Sequence, residues 1–256
     1  MQTTETAVAV TSELVKVTDQ FVHAFTAVAG AADTAVYLVG SPALGDTSAR
    51  QSNVDVVAVS RVPLTASQLA ETVRWHGSLR RNGRDGVVAY ATWAGLSGRP
   101  EAAEASVYVG SRPVEADRLV NPMTWAIMAT RPCLLHGEGQ ERVFSEPAEV
   151  RAWFAGRLPA LVDRTAGLLW RRHLSRIVLQ STRAAHGALT GEVLSLREAG
   201  ERARAGASHT SNRVITDALG YRAGSNTSMY WGPFERKSNA ETLARAWLRQ
   251  VQAATE

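Results

Sequence analysis

The stretch that decides the fold is GSPALGDTSARQSNVDVVAV, residues 40–59. The apolar run before it predicts a short buried strand over 35–39, and the Gly40-Ser41 pair predicts the turn that ends this strand. A second buried strand is predicted over 54–59. An α/β unit begins here, because a helix predicted over 66–79, a turn predicted over 82–86 and a third strand predicted over 87–92 follow the second strand at short intervals. The pattern also predicts a first helix over 6–29, a strand over 106–109, a short helix capped by Asn121, and helices over 195–204 and 239–253.

The residues of this stretch are typical of a phosphate-binding site. A turn of glycine and serine leaves backbone N–H groups and a hydroxyl free for phosphate oxygens, so we expect Gly40 and Ser41 to bind a nucleotide. Asn53 and Asp55 lie two residues apart on the predicted strand and therefore point to the same side. We expect Asp55 to be the catalytic, metal-binding carboxylate and Asn53 to assist through its amide oxygen. A buried ion pair with an arginine is the structural alternative for Asp55.

The same residues carry a resemblance to a known family. A Gly-Ser turn after a first strand, followed about a dozen residues later by acids at alternate positions of a second strand, resembles the nucleotidyltransferase superfamily. Within it, the chain is similar to the streptomycin and spectinomycin adenylyltransferases and their actinobacterial relatives. Two further segments, NPMTW at 121–125 and LTGEVLS at 189–195, add to the similarity. These matches fall in both predicted domains and in the expected order.

The resemblance implies a fold and an activity. The expected fold class is α+β, with an N-terminal nucleotidyltransferase-like α/β domain that has a small mixed sheet, followed by a C-terminal helical bundle. We place these domains at 1–146 and 147–256, since strand signals vanish after Pro147 and helical periodicity takes over. The implied activity is transfer of AMP from Mg-ATP to a hydroxyl of a small acceptor of the aminoglycoside type, as in antibiotic resistance. ATP is then the donor substrate and Mg²⁺ the cofactor.

The sequence departs from the family pattern at the acids. Asn53 stands where the family has an aspartate, and the third strand, predicted over 87–92, has no acid, so that Val88 stands where one is expected. A neutral amide supplies no charge to offset Mg²⁺, and the magnesium site is therefore expected to be weak or altered. The alternative function is a catalytically impaired homologue that binds a nucleotide or a partner.

Three more residues are candidates for the site. Asp46 lies in the loop after the Gly-Ser turn and is either a second metal ligand or the cap of a turn. Glu192 is expected from the resemblance to line the substrate cleft, and it is otherwise a surface turn residue. Arg197 is a candidate for nucleotide binding because it stands beside the position where relatives carry a phosphate-binding lysine, which is Leu196 here.

Charge is distributed unevenly along the chain. Residues 1–150 carry 12 basic and 16 acidic side chains, a net charge of −4, whereas 151–256 carry 16 and 8, a net charge of +8. Nearly all of these cations are arginines, which pair with carboxylate and phosphate groups. The positive half opposes a polycationic acceptor and favours an anionic one such as transfer RNA. Nucleic acid still ranks last among the expected partners, because no aromatic-basic RNA motif accompanies the arginines.

Composition excludes several classes of protein. A chain of 256 residues with 45% apolar and 20% charged residues is typical of a globular protein of one or two domains. No apolar run of about 18 residues occurs and the N-terminal residues lack the layout of a signal peptide, so we expect a cytoplasmic monomer with no membrane partner. The single cysteine, Cys133, excludes an internal disulfide, and the six histidines lack zinc-finger spacing.

Overall fold

The computed structural model describes residues 12–46, 53–80, 85–139 and 143–255. These residues form two compact units, here called the sheet unit (described residues up to 146) and the helical unit (147–255). The predicted α+β class is confirmed, since a mixed sheet with helices comes first and helices follow it. The predicted start of the first helix at Thr6 and most of the turn predicted over 82–86 lie outside the described residues.

The sheet of the first unit has six strands in the order β5-β4-β3-β2-β1-β6. Strand β2 pairs with β3 in parallel, and the other neighbouring strands pair antiparallel, which makes the sheet mixed as expected. The strand bounds are Ala35–Val39 (β1), Asp55–Ser60 (β2), Val87–Thr92 (β3), Ser106–Val109 (β4), Arg112–Val114 (β5) and Cys133–His136 (β6).

Four α-helices of the described residues belong to the sheet unit: Ser12–Ala29 (α1), Ala66–Val73 (α2), Trp93–Ser97 (α3) and Pro122–Thr130 (α4). The helix predicted over 66–79 is shorter in the structure, since α2 ends at Val73 and a 3-10 turn follows at His76–Leu79. Gly77 has poor helix propensity and favours this break. Asn121 caps α4 as predicted, because its Oδ1 accepts the Thr124 N–H at 3.0 Å.

The two faces of the sheet carry different side chains, because successive side chains of a strand point to opposite faces. Val39, Asp55 and Val87 are register partners on β1, β2 and β3 and therefore share one face. The same face carries the apolar core of the unit, to which α4 contributes Trp125 and Met128. Asp55 is the first residue of its strand and is partly buried, so its carboxylate lies at the margin of this core.

The opposite face of the sheet packs against α1 and the turn that follows α2. The rings of Phe21 and Phe25 lie 6.4 and 6.0 Å from the ring of Tyr90 on β3. His76 is buried beside them, with Nδ1 at 2.6 Å from the Gly110 carbonyl oxygen and Nε2 at 2.6 Å from the Tyr90 hydroxyl. A neutral imidazole fits this arrangement, because Nδ1–H donates to the carbonyl and Nε2 accepts from the tyrosine.

Five helices form the helical unit: Pro147–Ala166 (α5), Arg171–Thr190 (α6), Leu196–Arg204 (α7), His209–Arg222 (α8) and Pro233–Thr255 (α9). Helix α6 is central, since it packs against the other four. The expected helical bundle is therefore confirmed, although α8 was not predicted and α9 begins six residues before the predicted start at Asn239. No helix within the described residues combines the length and apolarity that a membrane crossing needs.

A buried carboxylate ties α6, α8 and α9 together. Asp217 of α8 is 2% exposed and lies 3.0 Å from Arg171 Nη2 and 3.4 Å from Arg236 Nε. Its Oδ1 also accepts the Met229 N–H at 2.9 Å and the Ser228 hydroxyl at 3.1 Å. The loop before α9 is therefore fixed to the bundle by charge-assisted hydrogen bonds.

Candidate functional site

The Gly-Ser bend and the Asp55 carboxylate meet at one end of the sheet. Strand β1 ends at Val39, which is paired with Asp55, and Gly40 follows with a φ of +73°. A Cβ at Gly40 would lie 3.5 Å from Asp55 Oδ2, so the backbone of the bend approaches the carboxylate closely. Glycine suits this position because other residues rarely adopt a positive φ.

The bend continues into a tight turn that is built on Ser41. The Ser41 carbonyl oxygen accepts the N–H groups of Leu44 at 3.1 Å and Asp46 at 3.0 Å, and Pro42–Leu44 forms a 3-10 turn. The Ser41 hydroxyl makes no hydrogen bond that caps this turn. The role expected for Gly40 and Ser41 in nucleotide binding stays a prediction.

The Asp55 carboxylate stabilises the contact between β2 and β3. Its Oδ1 accepts the Val87 N–H at 3.2 Å, which joins the start of β2 to the start of β3. The residue before β3, Gly86, packs so closely on the chain before β2 that a Cβ there would overlap the Val54 carbonyl oxygen. One carboxylate oxygen thus holds two strand starts together, while the other, Oδ2, faces Gly40.

Asn53 carries a buried polar atom at the start of the described chain before β2. Its Oδ1 is shielded from solvent and accepts no hydrogen bond from the residues that the structure describes. The role expected for Asn53 in nucleotide binding stays a prediction. Strand β2 begins at Asp55 rather than at Val54, and Asn53 therefore precedes the strand. The strand-alternation argument that placed Asn53 and Asp55 on one side does not apply to it.

The expectation that Val88 occupies the position of the third acid is wrong. Register pairs Val88 with Val56, whereas Asp55 is paired with Val87. Since paired residues of neighbouring strands share a face, Val88 points away from Asp55. The positions beside Asp55 on its own face are Val87 and Ala89, and both are apolar and buried. Strand β3 therefore places no carboxylate beside Asp55, and the positions that decide this are Val87 and Ala89.

Asp46 is buried, with 4% of its surface exposed, at the end of the turn built on Ser41. Its backbone N–H donates to the Ser41 carbonyl oxygen. The turn at Thr47 that Asp46 is predicted to cap lies outside the described residues. Its role as a metal ligand stays a prediction. Within the described residues, no group of three histidine, cysteine, aspartate or glutamate side chains is placed to hold a metal ion.

The donor set at this end of the sheet does not fit the magnesium site implied by the resemblance. Mg²⁺ in triphosphate sites is held by carboxylates and phosphate oxygens, and its charge must be offset. Asp55 is the single acid in β2 and β3, and one of its oxygens already accepts a backbone N–H. The loop 47–52 carries no acid in its sequence. No step of a reaction is therefore assigned to a magnesium ion.

Glu192 belongs to an ionic cluster of the helical unit. Its Oε2 lies 2.7 Å from Arg202 Nη1 and 3.1 Å from His186 Nε2. Partial burial raises the pKa of Glu192, but the hydrogen bonds from His186 and Arg202 and the arginine charge lower this pKa by more, to below its ordinary value. Glu192 is therefore ionised at neutral pH and already paired. The substrate-cleft role expected for it stays a prediction.

The sequence pattern does not single out His186 or Arg202 as a site residue. The proximity of His186 to Glu192 is nevertheless predictable, because the turn at Thr190 to Glu192 ends α6 and brings Glu192 back to the last turn of that helix. His186 lies four residues before Thr190, one helical turn away, and so faces the same end. Arg202, on α7, becomes a neighbour through tertiary packing, which periodicity does not report.

Leu196 and Arg197 begin α7 with opposite exposures. Leu196 is buried in the core of the helical unit, which explains why no phosphate-binding lysine fits that position. Arg197 is exposed. Its expected role in nucleotide binding is untested by this geometry and stays a prediction.

Comparisons with known proteins give a fold and no family assignment. No protein-family model matches the chain, and no curated protein sequence matches it. The chain is similar to the crystal structure of spectinomycin adenyltransferase AAD(9) from Enterococcus faecialis with ATP and spectinomycin. The TM-score is 0.65 at 13% identity, over 92% of this chain and 98% of that chain. The chain therefore has an aminoglycoside nucleotidyltransferase-like fold, as the resemblance implied.

Proposed function

We propose that this protein binds a nucleotide at the Gly40-Ser41 bend and that its magnesium-dependent adenylyl transfer is severely impaired. The observation that carries the proposal is the approach of Gly40 to the lone Asp55 carboxylate, with Val87 and Ala89 at the neighbouring positions. The bend supplies N–H groups for phosphate oxygens. Within β2 and β3, the acids that transfer requires are reduced to one.

The nucleotide proposed is ATP. The AAD(9) structure contains ATP, and its fold extends over nearly the whole of both chains. The fold by itself fixes no ligand. The local geometry adds support, because a left-handed glycine followed by an uncapped serine hydroxyl gives the phosphate chain both backbone and side-chain donors.

Impaired transfer follows from the charge at the site. Nucleotidyl transfer depends on positioning and on electrostatic stabilisation by metal ions. Two unit charges 4 Å apart interact by about 4 kcal/mol at an effective dielectric constant of 20. Loss of two carboxylates therefore removes several kcal/mol of metal binding, and every 1.4 kcal/mol is about a factor of ten.

A second candidate is adenylyl transfer to a hydroxyl of an aminoglycoside-type acceptor. The observation that favours it is the spectinomycin in the AAD(9) structure. The buried Asp46 at the same turn is the residue that would supply a second carboxylate in this case.

Two assays on the purified protein separate these candidates. We expect ATP to raise the melting temperature, since a ligand that binds the native state stabilises it. We expect pyrophosphate release with Mg-ATP and a panel of aminoglycosides to equal that of Asp55→Asn. Asp163→Asn, an exposed change on α5, is the matched control. Release well above the Asp55→Asn background would favour the second candidate, and an unchanged melting temperature would contradict nucleotide binding.

A further inference from the structure

A groove of about 590 Å³ lies between α1 and the end of α2, within the sheet unit. Its volume is in the range of small-molecule sites, about 300–1,000 Å³. Helix α1 covers one face of the sheet, and the Asp55 carboxylate lies on the other face. The groove is therefore separate from the Gly40-Ser41 bend.

Three kinds of side chain line the groove. Small apolar groups come from α1, carboxylates come from both helices, and one indole follows α2: Ala24, Ala27, Val28, Asp19, Glu71 and Trp75. The lining is thus apolar, with acidic groups and an aromatic ring beside the apolar surface.

The two helices that form the groove are joined to each other. Gln68 of α2 donates from Nε2 to the Val28 carbonyl oxygen of α1 at 3.1 Å. Asp19, His23 and Ala27 recur at every fourth position and therefore form one row on the surface of α1. The groove is preformed, because the hydrogen bond fixes α2 beside this row.

The charge of the groove is negative. Asp19 and Glu71 are exposed, and neither makes an ion pair with any other residue that the structure describes. The described lining contains no lysine or arginine, and its basic group is the His23 imidazole. Residues 1–150 carry a net charge of −4, which has the same sign. Charge complementarity therefore favours a cation and opposes an anion.

Trp75 indicates which kind of cation fits. Its side chain is half-exposed, at 45%. Tryptophan is the aromatic residue that binds cations best through its ring face. Within the described ranges, no three histidine, cysteine, aspartate or glutamate side chains are grouped to hold a metal ion. An organic cation suits the lining better, since its carbon atoms also cover the small apolar side chains of α1.

We infer that the groove between α1 and α2 binds a small organic cation, an ammonium group attached to an apolar body. Asp19 and Glu71 attract the ammonium group, the Trp75 indole contacts it, and the apolar body covers the surface formed by Ala24 and Val28. This site is independent of the proposed nucleotide binding.

Titration calorimetry at low salt tests the inference with three probes of similar size: benzyltrimethylammonium, benzyl alcohol and benzenesulfonate. The titrations are made at pH 8, where an imidazole such as that of His23 is largely uncharged. We expect the cation to bind the wild-type protein at least about fivefold more tightly than the neutral alcohol, and the anion to bind most weakly. Equal binding of the cation and the alcohol would overturn the inference.

Two variants test the position of the cation. We expect Trp75→Leu, which keeps an apolar side chain, and Glu71→Gln each to weaken binding of benzyltrimethylammonium by at least about threefold. Glu101→Gln, a change of an exposed acid elsewhere in the sheet unit, is the matched control and should leave binding unchanged. Circular dichroism checks the fold of each variant, and the three probes on the wild-type protein decide the outcome if a variant is unfolded.

Two other results would overturn the inference in favour of a different site or occupant. Loss of cation binding in Asp55→Asn but not in Glu71→Gln would place the cation at the Gly40-Ser41 bend. A wild-type dimer in light scattering that Trp75→Leu converts to a monomer would show that a second copy of the chain covers the groove.

Discussion

Gly40 is the residue on which the bend after β1 depends. Its φ of +73° is unfavourable for residues with a Cβ. A Cβ built at this position would lie 3.5 Å from Asp55 Oδ2. A side chain there strains the backbone and lies in van der Waals contact with the carboxylate. The residue thus joins a local conformational requirement to the proposed ligand site.

We expect Gly40→Ala to lower the free energy of unfolding by about 1–2 kcal/mol, the usual cost of a left-handed conformation for a residue with a Cβ. The same change should weaken ATP binding. Urea denaturation measures the first effect and calorimetry the second. Gly98→Ala is the control in the same unit, because Gly98 has an extended backbone and open space around it. Equal stability of the two variants would contradict the role given to Gly40.

Asn53 shows what a single sequence reveals at this scale and what it does not. The sequence shows that an amide stands where the family has an acid. The sequence does not show that the Asn53 Oδ1 is buried and has no hydrogen-bond partner among the described residues, because this depends on how the chain before β2 packs. Val88 illustrates the same limit, since the residue that faces Asp55 is set by strand register, and hydrophobic runs such as VVAYAT do not fix a register.

At the scale of elements, His76 links the turn after α2 to strands β3 and β4. Burial lowers the pKa of His76 below its ordinary value, although the hydrogen bond to the Gly110 carbonyl opposes this. Burial also raises the pKa of the Tyr90 hydroxyl, so Tyr90 stays a donor to Nε2. The fold therefore prefers the neutral imidazole.

We expect a pH dependence of stability from His76. Because its folded pKa lies below the unfolded value of about 6.5, the unfolded state binds more protons between the two values, and stability falls as the pH falls below 6.5. His76→Gln cannot titrate in this range. Urea denaturation at pH 7.5 and 5.5 should show a larger loss for the wild type than for the variant. Equal losses would show that His76 is not buried in its neutral form.

Asp217 holds three helices of the helical unit through two arginines. Removal of one partner from a buried ion pair leaves an uncompensated charge and costs about 3–5 kcal/mol. We expect Asp217→Asn to lower the free energy of unfolding by that amount, measured by urea denaturation with circular dichroism. Asp163→Asn on the exposed side of α5 should change it by less than about 0.5 kcal/mol. A small effect of Asp217→Asn would mean that other groups offset the charges of Arg171 and Arg236.

The elements that the sequence did not predict are those with weak local signals. Helix α8 begins with HTSNR, whose serine, threonine and asparagine favour caps and turns over helix interiors. It is stabilised by the burial of Val214, Ile215 and Ala218 in the bundle core. Strand β5 is three residues long and contains Pro113, so no alternation is visible in it. By contrast, β1, β3 and β4 are clear hydrophobic runs with the bounds that the sequence predicted.

At the scale of the whole molecule, the net charge of +8 in residues 151–256 has a partly internal use. Arg171 and Arg236 are both directed at the buried Asp217, and Arg202 is paired with Glu192. The excess of arginine is therefore weaker support for an anionic partner than the sequence suggested. Composition counts charges, and it does not show which of them are already paired.

The fold class was predictable because motifs in both halves agreed with the change from strands to helices along the chain. The activity was not predictable, because it depends on how many carboxylates lie at one end of the sheet. That number follows from register and from the start of β2, neither of which local sequence determines. The fold therefore does not settle the activity of this chain, as it does not in other widely used folds.

A crystal structure of the protein grown with ATP tests the central claim most directly. The account predicts phosphate oxygens within hydrogen-bond distance of the backbone N–H groups at Gly40 and Ser41. Well-ordered ATP whose phosphates lie away from this bend would contradict it.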